Sequence, residues 1–396
     1  AFSRIGPASA DMQQTLGAVY YRRGWLERGL ERYRMAATLD DRDIDARIGQ
    51  VETLLDLHRA EQATPLHDSL VATRPRNVHV QRMDTYHARH TGWQFAATAD
   101  RGRSHVRGNA LASPSPMGNR DGDHAFDVQS PLLGNRWRLT AHTHDRWADF
   151  SDAAAGGVRV HDRRIGAGVR YENDKLDLRA YATRPNDRWS NDTGFGVEAN
   201  WRLSDVLNGE LLARRADPDA SLQARRSGIT GDRIAVGLNY VPSERTTLST
   251  AAEHWRYSDG NRREVFGAQL DQRLLSRPHL LLNGLVEAYA GRGSRDDAPY
   301  FNPGSDGSLK VGLRVDHLAW RRYERHFRHR ISVMAGPYWQ EGFGSAIVPS
   351  ARYEHEWSFG LGSTLVYGAD WSRPVYDGVR EQRLGFDIGF YWGTDR

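Results

Sequence analysis

The chain has 396 residues, 54 Lys plus Arg against 50 Asp plus Glu, no cysteine and a mean hydropathy of −0.68. The lack of thiols excludes disulfides, thiolate catalysis and cysteine-ligated zinc. The longest aliphatic run, Leu280-Leu281-Leu282, is far short of the ~20 apolar residues of a spanning helix. Neither fact excludes a membrane β-barrel, in which only alternate wall residues face lipid.

The net charge of +4 is small for this length, although the pI of 9.3 looks basic. Lys175 and Lys310 are the only lysines. An arginine excess of this kind reads as a compositional bias, and no nucleic-acid partner is expected. The sequence begins Ala1-Phe2 without an initiator Met or a basic-then-apolar leader, so a mature form or a fragment is expected.

Residues 11 to 75 are helical in pattern and repeat at 34 residues, the tetratricopeptide period. Gly17, Tyr20, Gly29, Tyr33, Ala36 and Asp41 are followed at that spacing by Val51, Leu54, Ala63, His67, Leu70 and Pro75. Small residues at 29 and 63 let one helix of each unit approach the other, and Pro75 ends the second unit. Two units fall below the ~3 needed for independent stability, so the segment reads as the end of a longer solenoid or as propped by a neighbour. A helical domain is assigned to 1-80 and a second domain to 90-396.

From about residue 91 the period changes to two. Leu384, Phe386, Ile388, Phe390 and Trp392 alternate with Gly385, Asp387, Gly389 and Tyr391, and the same parity recurs upstream. Strands are predicted near 91-103, 123-132, 135-147, 158-172, 174-184, 192-203, 206-215 and 231-241. The others fall near 244-257, 262-275, 278-291, 307-323, 326-340, 343-357, 360-373 and 379-393. Tight turns such as Asn173, Ser204-Asp205 and Glu324-Arg325 alternate with longer links, of which 104-122, 216-230 and 292-306 are the longest. The predicted fold is therefore mainly β: a 16-stranded antiparallel transmembrane barrel after a short helical tetratricopeptide segment. Trp93, Tyr171, Trp201, Tyr240, Trp357 and Trp392 would form a girdle at the short-turn rim, and Trp147, Trp255, Trp339 and Trp371 one at the other.

The opposite parity would line the bore. Five strands that become contiguous on closure supply Asp100, Asp127, Glu354, Glu356, Asp370 and Asp387 against Arg352 alone, whereas the third to seventh strands are rich in arginine. An acidic wall facing a basic one would guide a solute bearing cationic groups. Glu287 shares the luminal parity, and inward Tyr181, Tyr289, Tyr338 and Tyr391 could stack on sugar rings. The pair in His142-Thr143-His144-Asp145 breaks off at Arg146 before completing a metallo-hydrolase set, so no metal or other cofactor is expected. No serine or histidine stands in a distinguishing catalytic pattern, and an outer-membrane hydrolase is the alternative from another class. A soluble repeat adaptor is the third reading.

Helical repeats leading directly into such a barrel resemble the bacterial exopolysaccharide exporters. Within them the chain is most similar to the poly-β-1,6-N-acetylglucosamine export porin family, the PgaA family. The residues that carry this are Ala298-Pro299-Tyr300-Phe301-Asn302-Pro303, Tyr323-Glu324-Arg325, and Arg373-Pro374-Val375-Tyr376-Asp377-Gly378 with Arg380-Glu381. Arg4-Ile5-Gly6, Gly17-Ala18-Val19-Tyr20 and Arg23-Gly24-Trp25 also look familial. The resemblance implies a non-enzymatic, monomeric porin in the outer membrane of a Gram-negative bacterium, with its repeats in the periplasm. It further implies export of a partly de-N-acetylated polymer along the acidic wall, with Tyr300, Phe301 and Asn302 in a loop lid. The repeats would recruit the polymer and its periplasmic deacetylase. Cellulose and Pel exporters carry a similar loop, so an exporter of another polymer stays open. The ending Trp392-Gly393-Thr394-Asp395-Arg396 departs from the terminal aromatic usual for barrel assembly.

Overall fold

The computed structural model describes residues 9–106, 115–152, 156–189 and 192–393. Arg4-Ile5-Gly6, much of the 104-122 loop and Thr394-Asp395-Arg396 lie outside these.

Five helices come first: α1 (Ala10–Arg22), α2 (Leu26–Leu39), α3 (Ile44–Asp56), α4 (Ala60–Thr73) and α5 (Val78–Thr91). The helices α1, α3 and α5 begin 34 residues apart, as do α2 and α4. Helix α5 runs on past the helical span read from the sequence. Asn77 starts it by accepting from the His79 and Val80 amides, and its Val80 and Met83 are buried. The small positions act sterically: a Cβ on Gly17 would meet the Tyr33 ring at 2.8 Å, and one on Gly29 the Tyr21 amide at 3.2 Å. His67 fills its aromatic slot by stacking on His87 at 3.9 Å while bonding Asp68 and Asp84, each at 2.9 Å.

The barrel strands are β1 (Gln94–Val106), β2 (Arg120–Gln129), β3 (Trp137–Asp152), β4 (Gly156–Glu172), β5 (Leu176–Pro185), β6 (Gly194–Ser204), β7 (Leu207–Arg215) and β8 (Gly231–Ser243). They continue as β9 (Thr246–Tyr257), β10 (Arg262–Arg277), β11 (Leu280–Gly293), β12 (Ser305–Arg322), β13 (Arg325–Gln340), β14 (Gly344–Gly360), β15 (Ser363–Ser372) and β17 (Val379–Trp392). A two-residue β16 (Val375–Tyr376) pairs with the start of β17, and a short helix α6 (Leu222–Arg226) sits in the β7–β8 link. The long strands form a closed 16-stranded antiparallel barrel. Closure is made by β1 against β17, in register from Phe95↔Trp392 to Val106↔Glu381.

Closure leaves no free edge and satisfies backbone groups between neighbours, as a membrane wall requires. The outward parity carries exposed Leu309, Val311, Leu313, Ile331, Val333, Leu384, Phe386 and Ile388. Trp255 corrects the girdle reading. It takes the luminal parity opposite Arg233 and Arg263 and is buried beside Ala220, Tyr257 and Tyr300. The inward-folded β7–β8 and β11–β12 links give its ring an apolar cover.

Candidate functional site: a bore closed at both rims

Cross-strand pairing places all the acidic residues singled out above on the luminal parity. One row runs Glu354, Gly368, Asp387, Asp100 and Asp123 across β14, β15, β17, β1 and β2. Arginines tie most of them. Arg330 donates to Glu354 at 2.6 Å and to Glu356 at 2.7 Å. Arg352 forks onto Asp387 at 2.6 and 2.9 Å, and Arg179 reaches Asp127 from β5.

Arg352 is not alone on this arc. Arg383 on β17 forks onto Asp121 at 2.6 and 2.7 Å; strand β2 begins three residues earlier than predicted and so brings in Asp121. Such luminal pairs hold register as well as line the wall. The separate acidic and basic walls expected from the sequence are therefore largely stitched together. Among the described residues, Asp100 and Asp370 have no ion pair, and Tyr391 lies on the luminal face beside Thr364 and Ala96.

A second luminal region gathers Glu287, Tyr289 and Tyr338 with Glu210 and Lys310. A cavity of about 760 Å³ is lined by Glu210, Glu287, Lys310, Tyr289, Tyr338 and Asp306, with Phe301 and Tyr376 above. That volume is typical of a site holding a small ligand (~300–1,000 Å³). Asp306 is committed to Arg263 at 2.7 Å and to the Tyr338 hydroxyl at 3.1 Å. Among the described residues, no ion pair engages Glu210, Glu287 or Lys310, although the last two face each other across β11 and β12. Glu210 and Glu287 thus differ from Glu354, Glu356, Asp387 and Asp127 of the arc, which are all paired with arginine.

Inward-folded links close the long-loop rim over that cavity. The Tyr300 hydroxyl accepts from Asn261 at 2.8 Å while its ring packs on Tyr257 at 5.1 Å; burial pushes this phenol above its ordinary pKa. The Phe301 amide donates to Gln223 at 2.9 Å, and Gln223 donates to the Ser115 carbonyl at 3.1 Å. The Asn302 amide donates to the Arg295 carbonyl at 2.7 Å. Asp377 and Gly378, both left-handed at φ 49° and 75°, reverse the chain after β16. Gln340 and Asp377 bond reciprocally at 2.5 and 3.0 Å and fix that hairpin inward. On the other side α6 drops Arg225 onto Asp162 at 2.6 Å, and Arg164 shares the same carboxylate at 2.7 Å.

The helices cross the short-turn rim. Helix α2 has no side-chain cap of its own; Asp205 in the β6–β7 turn accepts from its Glu27 and Arg28 amides at 3.0 and 3.4 Å. Arg23 meets Glu244 at 3.5 Å, Arg59 meets Asp174 at 3.2 Å, Glu61 takes a fork from Arg136, and Arg82 reaches Glu324 at 2.6 Å. Arg89 donates to Ser363 and lies 3.8 Å over the Trp392 ring. Arg138, fully buried, donates to the Gly92 and Ser130 carbonyls at 2.8 Å and also to that of His90, closing the end of α5. Among the described residues, the β10–β11 turn at Pro278-His279 receives no such bond. Beneath the helices a cavity of about 530 Å³ is lined by His58, Tyr86, His90, Arg170, Glu172 and Asp177. Burial acts to raise the nearby Asp56 carboxyl, but hydrogen bonds from His90 and Tyr86 hold it below its ordinary pKa.

The model of the PgaA membrane β-barrel domain matches residues 103–392. The chain belongs to that family. It is an outer-membrane barrel of the Gram-negative type. Two relatives, from Escherichia coli K12 and O157:H7, are each named poly-β-1,6-N-acetyl-D-glucosamine export protein and are 25% identical over 97% of this chain and 46% of their own length. The chain thus spans about half of the curated relatives it matches. A solved structure titled bacterial polysaccharide outer membrane secretin superposes with a TM-score of 0.67 at 21% identity, covering 77% of this chain and 99% of its own, and it shares the fold.

Proposed function

We propose that this chain is the outer-membrane conduit for a polysaccharide carrying cationic glucosamine units, partly de-N-acetylated poly-β-1,6-N-acetylglucosamine being the substrate the relatives' names suggest. The observation that carries the reading is the luminal cavity in which, among the described residues, no ion pair engages Glu210 or Glu287 beneath the rings of Phe301 and Tyr376. Carboxylates in a confined, low-dielectric bore favour an ammonium group, and flat rings offer stacking surfaces to pyranose faces.

The conduit works without bond chemistry. Polymer enters past the helical collar on the β10–β11 side, where the collar is least tied to the rim. It passes the Glu210–Glu287 sector and leaves as the loop carrying Tyr300, Phe301 and Asn302 swings off the β16 hairpin. The collar, read as tetratricopeptide units, is the surface on which a periplasmic deacetylase would hand over polymer, and the barrel acts as a monomer.

Planar-bilayer conductance with and without glucosamine oligomers tests this. Current blocked by de-N-acetylated oligomers and not by fully acetylated ones supports the reading, and equal block by both removes the role of the acids. Block by anionic oligomers instead would favour the arginine-rich β3–β7 wall.

A further inference from the structure

The outward face carries a histidine cluster toward the periplasmic rim. On β12, β13 and β14 the apolar ladder toward the periplasmic rim ends in a histidine on each strand. Val315 is followed by His317, Ile331 is preceded by His329, and Tyr353 is followed by His355. These fall in one cross-strand row, Arg277, Leu280, His317, His329, His355 and Tyr367, spanning β10 to β15. One residue pair nearer the turns lie Trp320, Phe327 and Trp357, the last two stacked at 4.2 Å. At the strand ends, Arg322 and Arg325 face each other with the same outward parity.

Polar side chains on a lipid face are costly unless satisfied. His317 and His329 bond each other at 2.8 Å, and His329 bonds the Tyr353 hydroxyl at 3.2 Å. His355 packs edge-on against Tyr353 and Tyr367 at 4.7 and 5.0 Å, and its buried Nδ1 has no partner. Arg277, Arg322 and Arg325 are exposed, and among the described residues none of them has an ion pair. The nearby turn carboxylate, Glu324, is taken by Arg82. The patch therefore combines unneutralised cations, an aromatic belt at headgroup depth and an unfilled imidazole nitrogen just inside it.

We propose that this face binds the headgroup of an anionic phospholipid of the inner leaflet. The phosphate would lie against Arg322 and Arg325, and the glycerol ester carbonyls against the histidine row. A guanidinium matches phosphate oxygens in a fork, and imidazole N–H groups at ester depth have acceptors there. The proposal rests on the orientation of the barrel in the membrane and not on what it exports.

The test is native mass spectrometry of the purified protein titrated with dioleoyl phosphatidylglycerol, against the zwitterionic dioleoyl phosphatidylcholine. The native chain should retain phosphatidylglycerol preferentially, and the Arg322→Gln/Arg325→Gln variant should bind it about thirtyfold more weakly. His317→Leu/His329→Leu/His355→Leu, which makes the belt more apolar, should lose the preference while keeping the heat-resistant mobility of a folded barrel. Equal retention of both lipids, or unchanged preference in both variants, overturns the site. A protein that self-associates through this face, with the histidine variant monomeric in sedimentation, would assign the patch to a second copy instead.

Discussion

Phe301 and Tyr376 meet edge to face with ring centroids 5.1 Å apart. One comes from the β11–β12 link and the other from the β16 hairpin, so this contact joins two independent inward-folded segments above the free-acid cavity. An aromatic pair of this kind contributes about 1 kcal/mol beyond its burial. Replacing both by Ala should shift the closed-to-open balance about fivefold, read as a higher open probability in single-channel records. An unaltered open probability would mean that the Tyr300–Asn261 and Gln223 bonds alone hold the rim shut.

The free and the tied acids should behave differently. Glu210→Gln/Glu287→Gln removes two unpaired carboxylates and should weaken block by glucosamine oligomers about tenfold while leaving the melting temperature unchanged. Arg330→Met removes a donor from Asp316, Glu354 and Glu356, to which Arg330 now donates at 3.0, 2.6 and 2.7 Å, and leaves them Arg328, Arg352 and His326 respectively. Losing one donor at part-buried carboxylates that keep a second costs about 1–3 kcal/mol, so thermal unfolding in detergent should fall measurably below that of the native chain. If the Arg330 variant loses oligomer block and keeps its stability, the arc and not the Glu210–Glu287 sector is the path.

That contrast also marks what the sequence made legible. Two-residue alternation identified the wall, and with it the luminal parity of Asp100, Asp127, Glu287, Glu354, Glu356, Asp370 and Asp387. Parity says which face a residue takes but not which partner it meets, because that depends on register accumulated around the closed sheet. Arg179 meeting Asp127 from three strands away is therefore not readable; Asp121 falls outside the predicted second strand, whereas Arg383 shares the luminal parity of Asp387 inside the predicted last one and was readable. Helix α5 left a readable signal, since Asn77 with Val80 and Met83 continues the 34-residue period after Pro75. That no ion pair among the described residues engages Glu210 or Glu287 left none.

The collar should come loose without the barrel unfolding. Arg138→Met leaves the His90, Gly92 and Ser130 carbonyls without their donor, a loss of about 1–3 kcal/mol per unsatisfied group. Limited proteolysis should then cut between α5 and β1 while the barrel stays heat-resistant. Glu324→Gln, which removes only the rim partner of Arg82 and keeps its bond to Glu52, should loosen α5 less, because exposed pairs are worth about 0–1 kcal/mol. Protection that survives Arg138→Met would place the hold on the collar in the peripheral ion pairs.

Acid should weaken the helical segment through His87. Burial, reinforced by the neighbouring His67, lowers its pKa to about 4 from an ordinary 6.5, and its Nε2 lies 3.1 Å from the Thr64 hydroxyl. The folded segment therefore binds fewer protons than the unfolded one between these values, so stability is full above pH 6.5 and falls as pH drops toward 4. The ring is only partly buried, which discounts the loss to about 1–2 kcal/mol. Helical ellipticity followed during thermal melts should show a midpoint that falls between pH 7 and pH 4, and His87→Gln, which cannot take up the proton, should flatten that slope. A His87→Gln protein with the native pH dependence would shift the acid response to other groups of the collar.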